Sequence, residues 1–122
     1  MHLDHINIVA PRELIEVEKR FYIDILELKE GFRPQLSRPG YWLYSEEHAL
    51  IHLTVNDNHH DLDDKGYLDH VAFQTTSSTN LISKLNARNI EYSSKQLSEF
   101  GMTQIFFRSP IGIRIEVNFI NE

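Results

Sequence analysis

The amino-acid sequence predicts an α+β fold made of two βαβββ modules in tandem. Three observations carry this prediction. A strand-like motif recurs after about 65 residues, a helical pattern follows each copy, and three strand-like stretches follow each helix. The length of 122 residues is that of one domain with a sizeable core. We place module one at about 1–56, a polar linker at about 57–66 and module two at about 67–122.

The repeat is visible at two places along the chain. The segment HisLeuAspHisIleAsnIle near the start returns as TyrLeuAspHisValAlaPhe, which sets His5 and His70 65 positions apart. The segment LeuIleHisLeuThrValAsn corresponds to ArgIleGluValAsnPhe, which sets His52 and Glu116 64 positions apart. Two matches at nearly equal offsets indicate a duplication.

The elements of module one follow from periodicity. A strand over about 3–8 comes first, and Pro11 then stands where a first helical turn tolerates proline. Apolar residues at helical spacing predict the buried face of an amphipathic helix: Leu14, Val17, Phe21 and Ile25. Three strand-like stretches complete the module, at about 27–33, 41–45 and 49–55.

Module two repeats the same order. A strand over about 67–74 leads into a Ser/Thr-rich helix cap. The helix that follows is predicted to bury Leu81, Ile82 and Leu85. Strands are predicted near 90–93, 102–108 and 112–119, with SerProIleGly as the last hairpin turn.

Composition excludes several classes of function. The chain has no cysteine, so it has neither disulfides nor thiolate metal ligands. Its 12 basic residues against 18 acidic ones give a net charge of −6, which argues against a nucleic-acid surface. We find no signal peptide and no apolar run of the ~20 residues that span a bilayer. We therefore expect a soluble cytoplasmic protein with no membrane or nucleic-acid partner.

The strand faces separate apolar from polar side chains. Alternate residues of a strand point to opposite sides, so the apolar positions of the first and last strand of each module define a face that the helices cover. The other face carries His5, His52, His70 and Glu116 at repeat-related positions. Three imidazoles and one carboxylate are a typical set of metal ligands. We predict that these four residues bind a metal ion.

The motifs of both modules resemble one superfamily over essentially the whole chain. They are LeuAspHis at the start of each module, PheTyrIleAspIleLeuGluLeuLysGlu, LeuIleHisLeu and SerProIleGlyIleArgIleGluValAsnPhe. Together they resemble the vicinal oxygen chelate superfamily, which includes glyoxalase I, methylmalonyl-CoA epimerase, extradiol dioxygenases and the fosfomycin- and bleomycin-resistance proteins. The resemblance implies that the modules form a cup-shaped mixed sheet around one divalent metal ion, with the helices on the outer face. The ion would be Zn, Ni, Fe, Mn or Co.

The resemblance also assigns positions. His5, His70 and Glu116 match ligand positions shared by most metalloenzymes of the superfamily, whereas His52 stands where glyoxalase I has a glutamate and the epimerase a glutamine. Val9 replaces an arginine of small glyoxalases, but Asn56 matches a glutathione-contacting asparagine. Side chains on the same strand faces or in adjoining segments are predicted to bind substrate: Arg33, Trp42, Asn56, Gln104, Phe106 and Arg114.

The resemblance favours a lyase, isomerase or epimerase acting on a small oxygenated substrate. The metal would chelate two neighbouring oxygens and stabilise an enolate, with Glu116 as the catalytic carboxylate. One alternative is an Fe(II) extradiol-type dioxygenase that uses His5, His70 and Glu116 as a facial triad. The other is a metal-free binding or resistance protein whose cup is lined by Tyr41, Trp42, Tyr44 and Phe106. A homodimer is expected, with the site formed within one chain or between two.

Overall fold

The predicted order of strands and helices is present in both halves of the chain. The computed structural model describes residues 3–59 and 70–120. The chain divides into two compact units, Met1–Asp64 and Lys65–Glu122, and each contains a four-stranded mixed sheet and one helix of several turns. The predicted linker at 57–66 lies mostly outside the described residues, as do positions 67–69 at the start of module two.

Unit 1 is the first βαβββ module. Its elements are β1 (Ile6–Ala10), α1 (Arg12–Leu26), β2 (Lys29–Gly31), β3 (Gly40–Ser45) and β4 (His48–Val55). The strand order is β1-β4-β3-β2, with β1 parallel to β4 and the other pairs antiparallel.

Unit 2 repeats this topology. Its elements are β5 (Val71–Thr75), α2 (Ser78–Ala87), β6 (Tyr92–Leu97), β7 (Met102–Arg108) and β8 (Arg114–Ile120), with a single 3₁₀ turn at Ser98–Phe100. The strand order is β5-β8-β7-β6, and β5 is parallel to β8. The strand predicted at 90–93 begins later and is longer than expected, because its exposed polar residues give no apolar alternation to mark it.

The two units also share their strand register. Asn7 of β1 stands opposite His52 of β4, and Ala72 of β5 stands opposite Glu116 of β8. Ala72 lies 65 positions after Asn7, and Glu116 lies 64 positions after His52, which are the offsets of the sequence repeat. The duplication therefore extends to the backbone positions that carry the predicted ligands.

The face that α1 buries differs from the prediction. Its buried residues are Ile15, Glu18, Phe21, Tyr22 and Ile25. Leu14 and Val17 were predicted to be buried, but they are 42% and 47% exposed. The prediction was wrong because a carboxylate, Glu18, occupies the centre of the buried stripe and hides it from an analysis of apolar spacing.

The alternation of the main strands is confirmed by burial. In unit 1 Ile51 and Leu53 of β4 are fully buried, and in unit 2 Ile115 and Val117 of β8 are fully buried. His52 and Glu116, which lie between them, are less buried and point to the opposite face. Each sheet therefore has one face in its core and one polar face. No helix among the described residues is long and apolar enough to cross a membrane.

Candidate metal and substrate site

Unit 1 brings two predicted ligands into direct contact. His5 immediately precedes β1, His52 lies on the neighbouring β4, and their rings are stacked with centroids 3.9 Å apart and planes within 8°. Trp42 of β3 stands opposite His52 in the register and stacks on its other side, at 4.1 Å and 10°. The imidazole of His52 is thus held between two aromatic rings.

The carboxylate of Asp4 orients His5. Asp4 Oδ2 lies 2.6 Å from His5 Nδ1, and this hydrogen bond holds the pKa of Asp4 below its usual value. His48 begins β4, and its Nε2 contacts the backbone oxygen of Asp4. A neutral imidazole that donates through Nδ1 to a carboxylate keeps Nε2 as an acceptor, which is the usual arrangement around a metal-binding histidine.

The surroundings of His52 favour its neutral form. Burial lowers its pKa most, and the electrostatic interaction with His5 lowers it further. Arg33 contributes in the same direction, while Asp4 opposes it. Since a histidine must be neutral to bind a metal, His52 is prepared to act as a ligand at neutral pH.

Unit 2 pairs the other two predicted ligands. His70 immediately precedes β5, and its Nε2 lies 3.5 Å from Oε1 of Glu116 on β8. Asn118 Nδ2 donates a hydrogen bond to the second oxygen, Glu116 Oε2, at 2.9 Å. Gln104 Nε2 in turn donates to Asn118 Oδ1 at 3.1 Å. These two hydrogen bonds fix the Glu116 carboxylate and leave Oε1 directed at His70.

The donor atoms in unit 2 fit a divalent ion. Two ligand atoms at about 2.1 Å from a tetrahedral metal lie roughly 3.4 Å from each other, close to the 3.5 Å between His70 Nε2 and Glu116 Oε1. Within residues 3–59 and 70–120, the structure gathers no cluster of three or more histidine or carboxylate side chains that could hold a metal. The four predicted ligands are thus brought together as two pairs, one in each unit.

Three of the predicted substrate-binding residues are engaged in local structure. Asn56 follows β4, and its side-chain oxygen accepts the backbone N–H of Asn58. Gln104 donates a hydrogen bond to Asn118, which in turn donates to Glu116. Arg33 lies in the segment between β2 and β3, where its Nη2 donates to the backbone oxygen of Arg38 at 3.0 Å.

Phe106 and Arg114 lie beside Glu116. Phe106 stands opposite Glu116 in the register, and the guanidinium carbon of Arg114 is 4.9 Å from the centre of the Phe106 ring. Both residues line a cleft of about 590 Å³ within unit 2. The rest of its wall is formed by Ile90, Glu91, Tyr92, Ser93, Phe107 and Arg108. A substrate could therefore contact an aromatic ring and a cation next to the carboxylate.

Tyr41 lies on the opposite face of its sheet from Trp42. Its hydroxyl donates to Glu16 Oε1 on α1 at 2.5 Å, and Lys19 Nζ lies 4.0 Å from the centre of its ring. The hypothesis that Tyr41 lines the same surface as Trp42 is wrong, because neighbouring residues of a strand alternate between faces. Tyr44 donates its hydroxyl to the backbone oxygen of Phe32 at 2.6 Å.

Two residues of the site were not predicted as functional. Asn118 holds Glu116, and Asp4 holds His5. Asn118 could have been found from the sequence, because it lies two residues after Glu116 and so shares its face. Asp4 precedes its histidine directly, and no strand periodicity identifies a contact of that kind.

Comparison of the sequence with protein-family models and with curated proteins finds no match. Solved structures do match over the whole chain. One is a glyoxylase/bleomycin resistance protein/dioxygenase domain from Frankia sp. EAN1pec, with 24% identity, a TM-score of 0.76 and coverage of 98% of this chain and 97% of that one. Another is the fosfomycin resistance protein FosX from Listeria monocytogenes, with 17% identity, a TM-score of 0.72 and coverage of 98% and 93%. A variant of that protein was solved with Mn(II) and 1S,2S-dihydroxypropylphosphonic acid.

A third similar structure is a trypanothione-dependent glyoxalase I from Leishmania major, with 16% identity, a TM-score of 0.70 and coverage of 99% of this chain and 87% of that one. These proteins are members of the vicinal oxygen chelate superfamily, so the chain has the fold that its motifs predicted. At such low identities the comparison establishes the fold, and the reaction has to be argued from the residues themselves.

Proposed function

We propose that the protein is a metal-dependent enzyme of the glyoxalase type, acting as a lyase, isomerase or epimerase on a small oxygenated substrate. The observation that carries this proposal is the duplicated pair of donors. In each unit, one predicted ligand precedes the first strand and the other lies on the adjacent parallel strand. In each unit, an outer partner also holds one donor, Asp4 for His5 and Asn118 for Glu116.

We propose that His5, His52, His70 and Glu116 bind one divalent ion. Imidazole and carboxylate ligands suit Zn, Mn, Fe, Co or Ni, and the Mn(II) bound to FosX supports a metal on this fold. Three neutral imidazoles and one carboxylate cancel only one of the two positive charges. When bound, the ion would act as a Lewis acid that polarises neighbouring substrate oxygens and stabilises an enolate.

Glu116 is the group proposed to move the proton. Its Oε2 accepts the hydrogen bond from Asn118, so Oε1 would have to release the metal ion before it accepts or returns a proton. The side chain is only 12% exposed, which limits the access of bulk water to the carboxylate. His52 would remain neutral because burial disfavours its charged form. Phe106 and Arg114 would border the substrate.

Metal analysis is the direct test of this proposal. Protein purified without added metal is analysed for bound ions and then titrated with Mn²⁺ and Zn²⁺ by calorimetry, alongside His5→Ala. His59→Ala is the matched control, because His59 is an exposed histidine of the same unit in a turn after β4. We expect wild type and His59→Ala to bind one ion per chain and His5→Ala to bind it far more weakly.

Activity measurements then separate the possible reactions. Turnover of methylglyoxal with glutathione would identify glyoxalase I chemistry itself, and its absence would leave the related isomerase and epimerase reactions. Bound iron with oxygen uptake on catechols would replace the proposal with a dioxygenase. If wild type binds neither ion with micromolar affinity, the enzyme proposal fails and a metal-free binding protein takes its place.

We also propose that the protein is a homodimer. Size-exclusion chromatography with light scattering tests the assembly, and mixing two inactive variants tests the origin of the ligands. His5→Ala and His70→Ala damage different units, so mixed dimers regain a complete ligand set only if each site takes its pairs from two chains. Recovered metal binding in the mixture would show a shared site, and no recovery would show a site within one chain.

A further inference from the structure

Arg33 lies beside the polar face of unit 1. It follows β2, and its guanidinium passes over Gly40, because a Cβ placed on Gly40 would be 3.1 Å from Arg33 Nη2. Gly40 stands opposite Thr54, and Trp42 stands opposite His52 on the same two strands. Residues two apart in a strand share a face. The guanidinium therefore lies on the face that carries His52.

The spacing between Arg33 and His52 suits a small molecule. Same-face neighbours along a strand are about 7 Å apart, so Arg33 lies roughly one such step from the row formed by Trp42 and His52. A molecule of a few carbon atoms can extend over this distance. Any ligand that binds there also lies next to the ring of Trp42, which stacks on His52.

Most of the hydrogen-bonding capacity of Arg33 is unused. A guanidinium has five N–H donors, and the structure shows one bond, from Nη2 to the backbone oxygen of Arg38. Its Nε is buried and has no hydrogen-bond partner. Across the part of the chain that the structure describes, no carboxylate lies within ion-pair distance of Arg33. A half-buried charge is costly without a counter-ion, so this arrangement calls for one from outside the chain.

Other basic side chains of unit 1 do have counter-ions. The chain has 18 acidic residues against 12 basic ones, so carboxylates are plentiful. Lys19 pairs with Glu30 at 2.6 Å and Arg12 with Glu16 at 3.4 Å. Arg33, which lies beside His52, has no such partner among the residues that the structure describes.

We propose that Arg33 binds the carboxylate of the substrate, which makes the substrate a small oxygenated carboxylic acid. A guanidinium matches a carboxylate with two parallel hydrogen bonds, and one cation balances one negative charge. The acid would lie along the strand, with its carboxylate on Arg33, its carbon chain beside Trp42 and its second oxygenated carbon toward His52. The position of that last group rests on the proposed function, whereas carboxylate binding by Arg33 does not.

Trp42 provides a direct readout, because it is the single tryptophan of the chain and stacks on His52. Its fluorescence and calorimetry would follow the binding of 2-hydroxypropanoate, with and without added Mn²⁺. The neutral amide of the same acid is the matched ligand, and methylphosphonate distinguishes a phosphonate site. Arg33→Gln removes the guanidinium, Arg33→Lys keeps only its charge, and Arg38→Gln removes an equal charge from an exposed residue of the same segment.

We expect wild type and Arg38→Gln to bind 2-hydroxypropanoate with affinities within about twofold. Arg33→Gln should lose about tenfold or more, the size of a charged hydrogen bond, and Arg33→Lys should fall between them. The amide should bind wild type at least about tenfold more weakly than the acid. Equal losses in Arg33→Gln and Arg38→Gln, equal binding of acid and amide, or no binding to wild type would each overturn the proposal. Tighter binding of methylphosphonate than of the acid would overturn the carboxylate assignment.

The result can be separated from that of the proposed function. Metal affinity is measured on the same samples, and we expect Arg33→Gln to bind Mn²⁺ as wild type does. If wild type binds no metal but loses the acid when Arg33 is replaced, the enzyme proposal fails and the carboxylate site stands. If metal binding and turnover are present but Arg33→Gln retains full affinity for the acid, only the carboxylate site fails.

Discussion

The two units use one backbone plan and two different ways of holding their predicted ligands. In unit 1 His52 lies between the rings of His5 and Trp42. In unit 2 the corresponding Glu116 is held by a hydrogen bond from Asn118. Aromatic stacking orients a neutral nitrogen donor, whereas a charged carboxylate needs hydrogen bonds at the oxygen that does not serve the site. The chemistry of each ligand therefore explains the neighbours that accompany it.

A second difference concerns space beside the ligands. Gly40 and Gln104 occupy equivalent positions, since Gly40 stands opposite Thr54 and Gln104 opposite Asn118. In unit 2 the Gln104 side chain bonds to Asn118 and completes the support of Glu116. In unit 1 the absence of a side chain at Gly40 gives Arg33 its place on the polar face. Unit 1 thus leaves space for a partner of Arg33, whereas unit 2 uses the equivalent position to support the side-chain carboxylate of Glu116.

Removing the charge of Glu116 should have the largest effect. Glu116→Gln keeps the shape of the side chain but removes the only carboxylate among the four predicted ligands. We expect Mn²⁺ affinity to fall by more than the roughly 10–100-fold that loss of an outer partner costs, as measured by calorimetry. Glu91→Gln is the control, because Glu91 is an exposed carboxylate of the same unit. Unchanged affinity in Glu116→Gln would show that unit 2 does not supply a metal ligand.

The order of elements and the strand face of His52 and Glu116 could be predicted from the sequence, since both depend on local alternation and on the repeat. His52 and Glu116 lie between buried neighbours of a strand, so their face follows from a period of two. The face of α1 could not be predicted in the same way. Glu18 is fully buried there, and only the tertiary structure shows that a carboxylate occupies the core side of the helix.

Adding a side chain at Gly40 in unit 1 should lower the stability of the protein more than removing the Gln104 side chain at the equivalent position in unit 2. A Cβ on Gly40 would lie 2.0 Å from the backbone oxygen of Leu53, so β3 and β4 would have to separate locally. We expect Gly40→Ala to lower the free energy of unfolding by about 2 kcal/mol, measured by urea denaturation. Gln104→Ala, the matched change in unit 2, should cost less than about 1 kcal/mol. Equal effects would show that the close approach at Gly40 has no energetic weight.

Residues that hydrogen-bond to a predicted ligand should matter more for Mn²⁺ affinity in unit 2 than the equivalent residues do in unit 1. Asn118 and Thr54 are equivalent positions, but Asn118 donates to Glu116, whereas Thr54 donates to Asn7 and not to His52. We expect Asn118→Ala to weaken Mn²⁺ binding about tenfold and Thr54→Ala to leave it within about twofold. Calorimetry on both variants measures the difference. If the two variants lose the same affinity, the hydrogen bond to Glu116 does not tune the ligand.

The contacts of single side chains were the part of the site that sequence could not give. Alternation assigned Gln104 to the face of the predicted ligands, and Arg33 was predicted to bind substrate by its charge. Neither argument could show that Gln104 bonds to Asn118 or that Arg33 bonds to the backbone of Arg38. Such partners depend on side-chain conformation and on loops whose path has no period. The prediction for Tyr41 was wrong for another reason, because the aromatic content of β3 was considered without its alternation.

The smallest predicted effect concerns the outer side of unit 1. The hydrogen bond to Glu16 raises the pKa of Tyr41, and the bond to Glu30 raises the pKa of Lys19. Both groups thus stabilise the fold in their protonated forms, so their contribution is complete below about pH 10 and is lost as the pH rises through the raised values. Tyr41→Phe should flatten the fall in the free energy of unfolding above about pH 10, by less than about 1 kcal/mol.

Unit 2 supplies the control for this pH dependence. The position equivalent to Tyr41 is Ile105, a fully buried residue with no group to titrate. Urea denaturation of wild type, Tyr41→Phe and Ile105→Val from about pH 8 to about pH 11.5 separates packing from titration. Ile105→Val should lower stability by about 1 kcal/mol at every pH, because it removes one buried methylene group. If the free energy of unfolding of Tyr41→Phe changes with pH in parallel with that of wild type, the hydrogen bond between Tyr41 and Glu16 adds nothing to stability. The Tyr41 hydroxyl would then be as unimportant for the fold of unit 1 as its absence at Ile105 is for unit 2.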